Sequence, residues 1–495
     1  MPEAALTVAA LRARLAADGC LIDAAVSAPA RPVTALTDDS RAVTAGGLFA
    51  AIRGTTADGH RYVEAAWRAG AACVLCEAPP EARPADGAVL QVSDSRRALA
   101  VAAAAFYDDP AEALTMIGVT GTNGKTTVAT LIHHLLHTLH GPAGLLSTVA
   151  VRVGDAAQAP THTTPDPVAL QRTLRAMVDA GCTACAMEVS SHALDQRRVY
   201  GIPYDVAVFT NLTQDHLDYH GTMAAYERAK KRLFDGLDAQ ATAVFNADDP
   251  AGPRMVAATD ATRWSYGTTP AADGRLRVHR VAIDGLTASI DGHRRTFRLT
   301  GRFNAYNLAA AYGAGRAVGL AGPAVADALA AAPPVRGRLE QHTFADGRTV
   351  VIDYAHTPDA LANVLDTLRA LLPDGRALWC VFGCGGDRDR SKRPRMGRIA
   401  EARADRVIVT SDNPRTEDPA SILDDIRAGL QAPAKAQWIV DRAAAIEAAA
   451  QHAAPGDVVL IAGKGHETYQ VVGTERRPFD DRAVARQFFE IPSHR

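Results

Sequence analysis

No apolar run in this 495-residue chain approaches the ~20 residues a helix needs to cross a bilayer, so no membrane span is expected. The opening stretch, MPEAALTVAALRARLAADGC, mixes charges at helical spacing. It lacks both a basic start and an unbroken apolar core, which argues against a leader or an anchor. Charge of one sign is missing too: 53 Lys and Arg against 55 Asp and Glu leave a formal net charge of −2. Such a chain has no global field to hold nucleic acid or an anionic membrane, and any anionic ligand must meet local basic groups. Cysteine is scarce and odd in number. Seven thiols fit a reducing compartment, the cytoplasm, better than a disulfide framework. Cys73/Cys76 and Cys182/Cys185 form two C-x-x-C pairs, but each lies in an apolar strand-like run and the pairs are too far apart for a zinc ribbon. They read as buried small hydrophobes. His133, His134, His137 and His140 include i, i+4 pairs, yet with no acidic or cysteine partner in that stretch they read as a solvated helix face.

What the chain does have is ordinary globular composition, 47% hydrophobic and 22% charged, and a length that suggests about three domains. Its organising stretch is TMIGVTGTNGKTTVATLIHHLL, residues 115–136. An apolar strand is expected to end at Val119 and Thr120, a turn follows with Gly121 and Gly124, and Lys125, Thr126 and Thr127 open an amphipathic helix. Backbone N–H groups at that helix start can converge on an anion, with Lys125 as a point charge on outer phosphates and the Thr126 hydroxyl available to Mg²⁺. The strict phosphate-loop pattern has glycine where this chain has Val119.

Residues 1–110 alternate helix and strand signals, with a surface loop at 77–87 and polar turns at TDDSR (37–41) and GTTADGH (54–60). From 111 to 334 further apolar strands end in polar tails: Glu188, Ser190, Ser191 and His192 after one, Asn211, Asp215, His216 and Asp218 after another. In open parallel sheets ligands collect beyond the carboxyl ends of strands, so these tails either face a nucleotide or cap strand ends. THTTPDP (161–167) offers hydroxyls on a stiff loop. YERAKKRLF (226–234) reads by composition as a helix with a solvated basic face at Lys230 and Lys231, and GRFNAYNLAAAYGAG (301–315) starts a helix whose Asn304 and Asn307 either read a base edge or cap the first turn. Residues 330–340 mark a boundary. Beyond it a strand-then-loop scheme repeats four times, predicting a parallel sheet and a common cleft for Asp353, His356, Arg388, 412–415 and 463–467. The basic run RDRSKRPRMGR holds Asp387 and Asp389 nearby and no stacking aromatics, so it makes a poor nucleic-acid patch.

Taken together, GVTGTNGKTT, MEVSSHAL, TNLTQDHLDYHG, GRFNAYNLAAA, DYAHTPDAL, FGCGGDRDRSKRPRMG, DNPRTEDP and AGKGHETY resemble the Mur ligases over nearly the whole chain. The resemblance implies an α/β protein of three domains: a uridine-nucleotide domain at 1–110, a central phosphate-loop ATPase with a mainly parallel sheet at 111–334, and a Rossmann-like amino-acid domain at 335–495. It implies a cytoplasmic, monomeric ligase of peptidoglycan precursor synthesis, using ATP and Mg²⁺ to join meso-2,6-diaminopimelate to the D-Glu γ-carboxylate of UDP-N-acetylmuramoyl-L-Ala-D-Glu through an acyl phosphate. Residue by residue it implies ATP on Gly121, Thr122, Asn123, Gly124, Lys125, Thr126, Thr127 and Asn304, with Thr126, Glu188, His216 and a carbamylated Lys230 serving the metal. Lys125, Glu188, His216 and Lys230 form the implied catalytic set. Asp38, Ser40, Thr55, Thr56, Ala57, His162, Thr163, Thr164, Ser190, Gln196 and Arg198 match the nucleotide-peptide contacts, His162 standing where close relatives carry Asn. Arg388, Asp412, Asn413, Pro414, Arg415, Gly463 and Glu467 match the amino-acid contacts. The physics agrees with DNPR as a diaminopimelate mark: a second carboxylate, absent from lysine, suits the fork of Arg415. Two rivals are a folylpolyglutamate synthase, to whose pattern TDDSR and DNPR do not belong, and a binding protein that hydrolyses ATP as a switch.

Overall fold

The structure, a computed structural model, describes residues 6–54, 57–160, 162–372 and 374–490. Three α/β layers follow one another along the chain. The first is built on a five-stranded sheet ordered Leu21–Ala25, Ala88–Val92, Cys73–Cys76, Leu48–Ala50, Leu36–Thr37, parallel except for its first pair. The second has eleven strands. At its centre Thr115–Thr120 lies between Ala184–Glu188 and Val206–Phe209, both parallel to it. Buried on both faces, these strands are the continuous apolar runs that a covered parallel sheet requires. One face is covered by the helix Lys125–Leu139, which turns Val128, Ile132, Leu135 and Leu136 inward at helical spacing, and by Arg302–Ala317 and Gly322–Ala331. The sheet then runs on through an antiparallel ribbon, Gly274–Ala282, Gly285–Ile290 and His293–Phe297.

The third sheet has six strands. Thr349–Asp353, Leu378–Phe382, Arg406–Val409 and Val458–Ala462 are parallel, as the fourfold repeat predicted, and the strand last in sequence inserts between the first two. The loops that follow these strands therefore leave from one edge. All seven cysteines are buried and free, and burial raises the Cys73, Cys76, Cys182 and Cys185 thiols. Among the described residues no helix is long and apolar enough to cross a membrane.

Two compositional readings need correction. Lys230 is not on a solvated face but 1% exposed, because the helix Met223–Asp235 turns Tyr226, Ala229, Lys230, Leu233 and Phe234 into the protein; Lys231 alone points out, paired with Asp235. The histidine face is only half solvated. His137 and His140 are exposed, but His133 is partly buried, with a pKa lowered to about 4 by burial, and His134 Nε2 meets the Ala328 carbonyl at 3.1 Å.

Candidate active site

Beyond the carboxyl ends of the central strands opens a cavity of about 810 Å³. Its floor is the phosphate loop. Gly121 (φ +148°) and Gly124 (φ +86°) take backbone conformations that suit glycine, and a Cβ on Gly124 would stand 2.4 Å from Asn307 Oδ1. The neighbouring strand's tail braces the loop: Thr122 N donates to Asn211 O at 2.8 Å and Asn123 N to Asn211 Oδ1 at 2.9 Å. Lys125 folds back, its Nζ donating to the carbonyls of Gly121 (2.9 Å) and Thr122 (2.8 Å). Lys230 Nζ donates to Gly121 O at 2.7 Å and lies 4.4 Å from the centre of the Tyr226 ring. Burial lowers both amines, Lys230 far below the usual lysine range, with the Lys125 charge adding to it.

Facing these cations, Glu188 is 1% exposed and accepts from Thr148 N at 2.7 Å and Thr148 Oγ1 at 3.2 Å. His216 sits in the left-handed region (φ +53°), with Nε2 3.5 Å from Asp215 Oδ2 and its ring edge-on to His192. Burial lowers the pKa of His216 to about 4, against the pull of Asp215. Arg338 reaches in from the start of the third layer, its Nη2 donating to Thr126 Oγ1 at 3.0 Å. Buried cations whose partners are mainly carbonyls, beside a carboxylate and a threonine hydroxyl, suit a polyphosphate carrying a hard divalent cation. Among the described residues no three His, Cys, Asp or Glu side chains group to hold a metal ion by themselves. Such a cation therefore needs ligand oxygens to complete its shell, the usual situation for Mg²⁺ on nucleotides.

A second cavity of about 180 Å³ is lined by Asp38, Arg96, His162, Asp166, Gln196 and Arg198, among others, and His162 and Arg198 line the first as well. Arg198 is held by Gln196 Oε1 (3.0 and 2.6 Å) and by Thr164 O (3.0 Å). Thr164 Oγ1 donates to Glu188 O at 2.8 Å and accepts from Ser190 N at 3.1 Å, and Thr163 Oγ1 lies 3.2 Å from Thr148 Oγ1. Ser40 is half-buried on a short 3₁₀ turn and Ala57 is exposed, away from this lining. Thr55 and Thr56 lie outside the described residues.

On the far side, Arg388, Asp353 and His356 line the large cavity. The segments 412–415 and 463–467 pack directly behind. Asn413 Nδ2 donates to Glu467 Oε2 at 2.9 Å, while Lys464, fully buried, donates to Asn413 Oδ1 and Glu467 Oε2 at 3.0 Å each. Gly463 (φ +114°) lets Asp412 approach, since a Cβ there would meet its Oδ2 at 2.4 Å. Arg415, half-buried at φ +52°, donates to Gly386 O at 2.8 Å, and Pro414 O packs against Gly386.

The structure thus gathers 121–127, 162–164, Glu188, Ser190, His216, Lys230 and Arg388 around the large cavity, apart from Gly121 itself, whose carbonyl is bonded beneath it. It does not bring Asn304 to the wall. That side chain is 2% exposed, donates to Thr300 O at 2.7 Å and accepts from Asn307, which lines the cavity instead. Arg338 and Arg96 lay outside the residues read from the sequence, and Lys464 was covered only by the range 463–467, without a role of its own. Arg338 stood inside the stretch read only as a boundary, and Lys464 inside the quoted AGKGHETY. Five non-glycine residues with positive φ, Arg197, His216, Leu339, Asp387 and Arg415, flank the site, and such conformations concentrate where geometry serves function.

Known proteins resemble this chain along most of its length. Family models described as "Mur ligase family, catalytic domain", "Mur ligase middle domain" and "Mur ligase, glutamate ligase domain" match residues 32–107, 119–315 and 337–465. A UDP-N-acetylmuramoyl-L-alanyl-D-glutamate–2,6-diaminopimelate ligase of Geobacillus kaustophilus is 47% identical over 465 residues, covering 92% of this chain and 94% of its own. The protein of the same name from Cytophaga hutchinsonii is 44% identical over 461 residues, 92% and 95% of the two chains. A solved structure with that name superposes with a TM-score of 0.68 at 33% identity, covering 98% of this chain and 99% of the other. A folylpolyglutamate synthase of Mycobacterium tuberculosis aligns at a TM-score of 0.61 and 22% identity over 79% of this chain and 95% of its own, a likeness of fold alone.

Proposed function

The chain belongs to the Mur ligase family, and from that premise we propose that it is the ATP-dependent ligase adding meso-2,6-diaminopimelate to the D-Glu γ-carboxylate of UDP-N-acetylmuramoyl-L-Ala-D-Glu, in the cytoplasm, as a monomer. The observation that carries the reading is the continuity of the cleft: His162 and Arg198 join the small cavity to the large one, and the large one runs past the phosphate loop to Arg388. A ligase of this kind must bring three ligands to one point, and three sets of residues converge here. We take the boundaries 1–110, 111–334 and 335–495 as the corresponding domains, one for each of the three large sheets.

Bound MgATP would supply the phosphoryl group that turns an unreactive carboxylate into an acyl phosphate with a good leaving group. The chain's own part is positioning and charge neutralisation, which is most of what phosphoryl transfer demands. In this reading Lys125, freed from its loop carbonyls, and Arg338 neutralise the transferring phosphoryl oxygens. Thr126, Glu188, His216 and a carbamate on Lys230 would hold the metal. The γ-carboxylate is aligned by the wall formed by His162, Thr164 and Arg198, and Arg388, Asn413, Arg415 and Glu467 orient the amino acid so that its free amine approaches the acyl carbon. Both carboxylates of diaminopimelate then have cationic partners, and lysine would leave one arginine unpaired.

Purified protein should release ADP and phosphate only when nucleotide-peptide and diaminopimelate are both present. Equal hydrolysis without them would favour the ATP-driven switch.

A further inference from the structure

Arg393, with Arg442 one of the two bulkiest fully buried side chains among the described residues, stands behind the amino-acid loops rather than in the cleft. It opens the helix Lys392–Arg403 and is 0% exposed. Its Nη1 donates to Glu417 Oε2 (2.9 Å) and Asp425 Oδ2 (2.8 Å), and its Nη2 to Glu417 Oε1 (2.8 Å) and Gly385 O (3.1 Å). One guanidinium therefore fastens two loops from different strands: 383–391, through Gly385, and 412–418, through Glu417. The seam is sewn again at Asp387, whose N–H donates to Glu417 Oε1 at 2.5 Å and whose carboxylate accepts from Thr416 N at 3.1 Å and Thr416 Oγ1 at 2.9 Å.

Arg388 follows Asp387 directly and Arg415 lies two residues before Glu417, so the brace sits beneath the two cationic groups proposed to grip the amino acid. Both loops carry strained backbone at this seam, Asp387 and Arg415 each at φ +52°. Such conformations persist only where surrounding contacts overdetermine them. Two guanidiniums that repel one another must also be held at the spacing their ligand requires, and a forked carboxylate–arginine pair is stiffer than single hydrogen bonds.

We propose that Arg393, acting through Glu417, is a positioning residue that sets the separation of Arg388 and Arg415 and thereby selects an amino acid with a second carboxylate. The inference rests on the diaminopimelate reading given above. It touches no substrate, so its signature is confined to one ligand: loosening the brace weakens amino-acid binding and selectivity and leaves the phosphate loop alone.

The test uses Arg393→Lys, which keeps the charge without the fork, and Glu417→Gln, which keeps the shape without the charge, both in the full chain. KM for diaminopimelate, nucleotide-peptide and ATP, kcat, diaminopimelate-over-lysine selectivity and the thermal midpoint are measured. The expected result is a KM for diaminopimelate raised about tenfold or more with lower selectivity, while kcat and the other two KM values stay within about twofold. Unchanged diaminopimelate KM and selectivity overturn the proposal, as do equal rises in all three KM values, the pattern of a merely structural role. If Arg393→Lys does not fold, Glu417→Gln decides by the same criteria. A wild-type protein that uses lysine as readily as diaminopimelate overturns the underlying reading, and this inference with it; a selective wild type with unaltered variants overturns this inference alone.

Discussion

Replacing Lys230 by alanine separates a structural lysine from a chemical one. The side chain is 1% exposed, donates to Gly121 O at 2.7 Å and packs on Tyr226. Removing its methylenes from a closed environment costs about 2–5 kcal/mol of stability, part of it from the cavity and part from the Gly121 carbonyl left without that donor. Burial and the Lys125 charge hold the amine well below the usual lysine range, which favours the neutral form, the form that adds to CO₂. In the proposed reading, loss of a proton from the adduct would leave an anionic carbamate, two oxygens in place of one cation, in the cavity that Glu188 and His216 also line. Hard cations prefer such oxygens, so losing them should lower kcat by roughly 10²-fold or more, comparable to losing one preorganised electrostatic contact at a transition state. Phosphate release by Lys230→Ala should be nearly abolished and partly restored by a short-chain carboxylic acid that fits the vacated volume. A folded Lys230→Ala protein with wild-type turnover would refute the reasoning.

Arg415→Ala should raise KM for diaminopimelate by about 10- to 100-fold, the worth of one charge-assisted hydrogen bond, with the affinity for ADP unchanged by calorimetry. Gly124→Ala should weaken nucleotide binding by at least about tenfold, because the new Cβ would lie 2.4 Å from Asn307 Oδ1 at φ +86°; a titration with ADP reads it. Burial lowers His133, His192 and His216 from 6.5 to about 4. Between those values the unfolded chain binds protons that the native one refuses, so stability present above about pH 6.5 is lost progressively as pH falls toward 4. Denaturant midpoints measured across that range should fall, and His192→Gln should flatten the slope; a flat wild-type profile would contradict the assignment.

How far the sequence spoke for itself depended on whether a signal was local. The phosphate loop was legible because glycine spacing, Lys125 and the helix start are contiguous, and the four parallel strands of the last sheet because each apolar run ends in its own polar loop. The buried Lys230 was legible in principle: Tyr226, Ala229, Lys230, Leu233 and Phe234 recur at helical spacing, and that periodicity outweighs the apparent polarity of AKKR. The antiparallel ribbon also left a trace that went unread, two Asp-Gly pairs at 284–285 and 291–292, the second with both residues at positive φ (+49° and +80°) as a tight hairpin turn requires. Arg338 left none. It meets Thr126 across 212 residues of chain, a juxtaposition made only by tertiary packing. Asn304 and Asn307 share one helix face, and only the depth at which that helix seats decides which amide meets the cavity.

The central claim is that a phosphorylated carboxylate is captured by an amine held on the last layer. The most direct measurement supplies nucleotide-peptide labelled with ¹⁸O in its γ-carboxylate, adds ATP and diaminopimelate, and weighs the released phosphate. One labelled oxygen per phosphate is the predicted result; amide product formed with unlabelled phosphate would contradict the account.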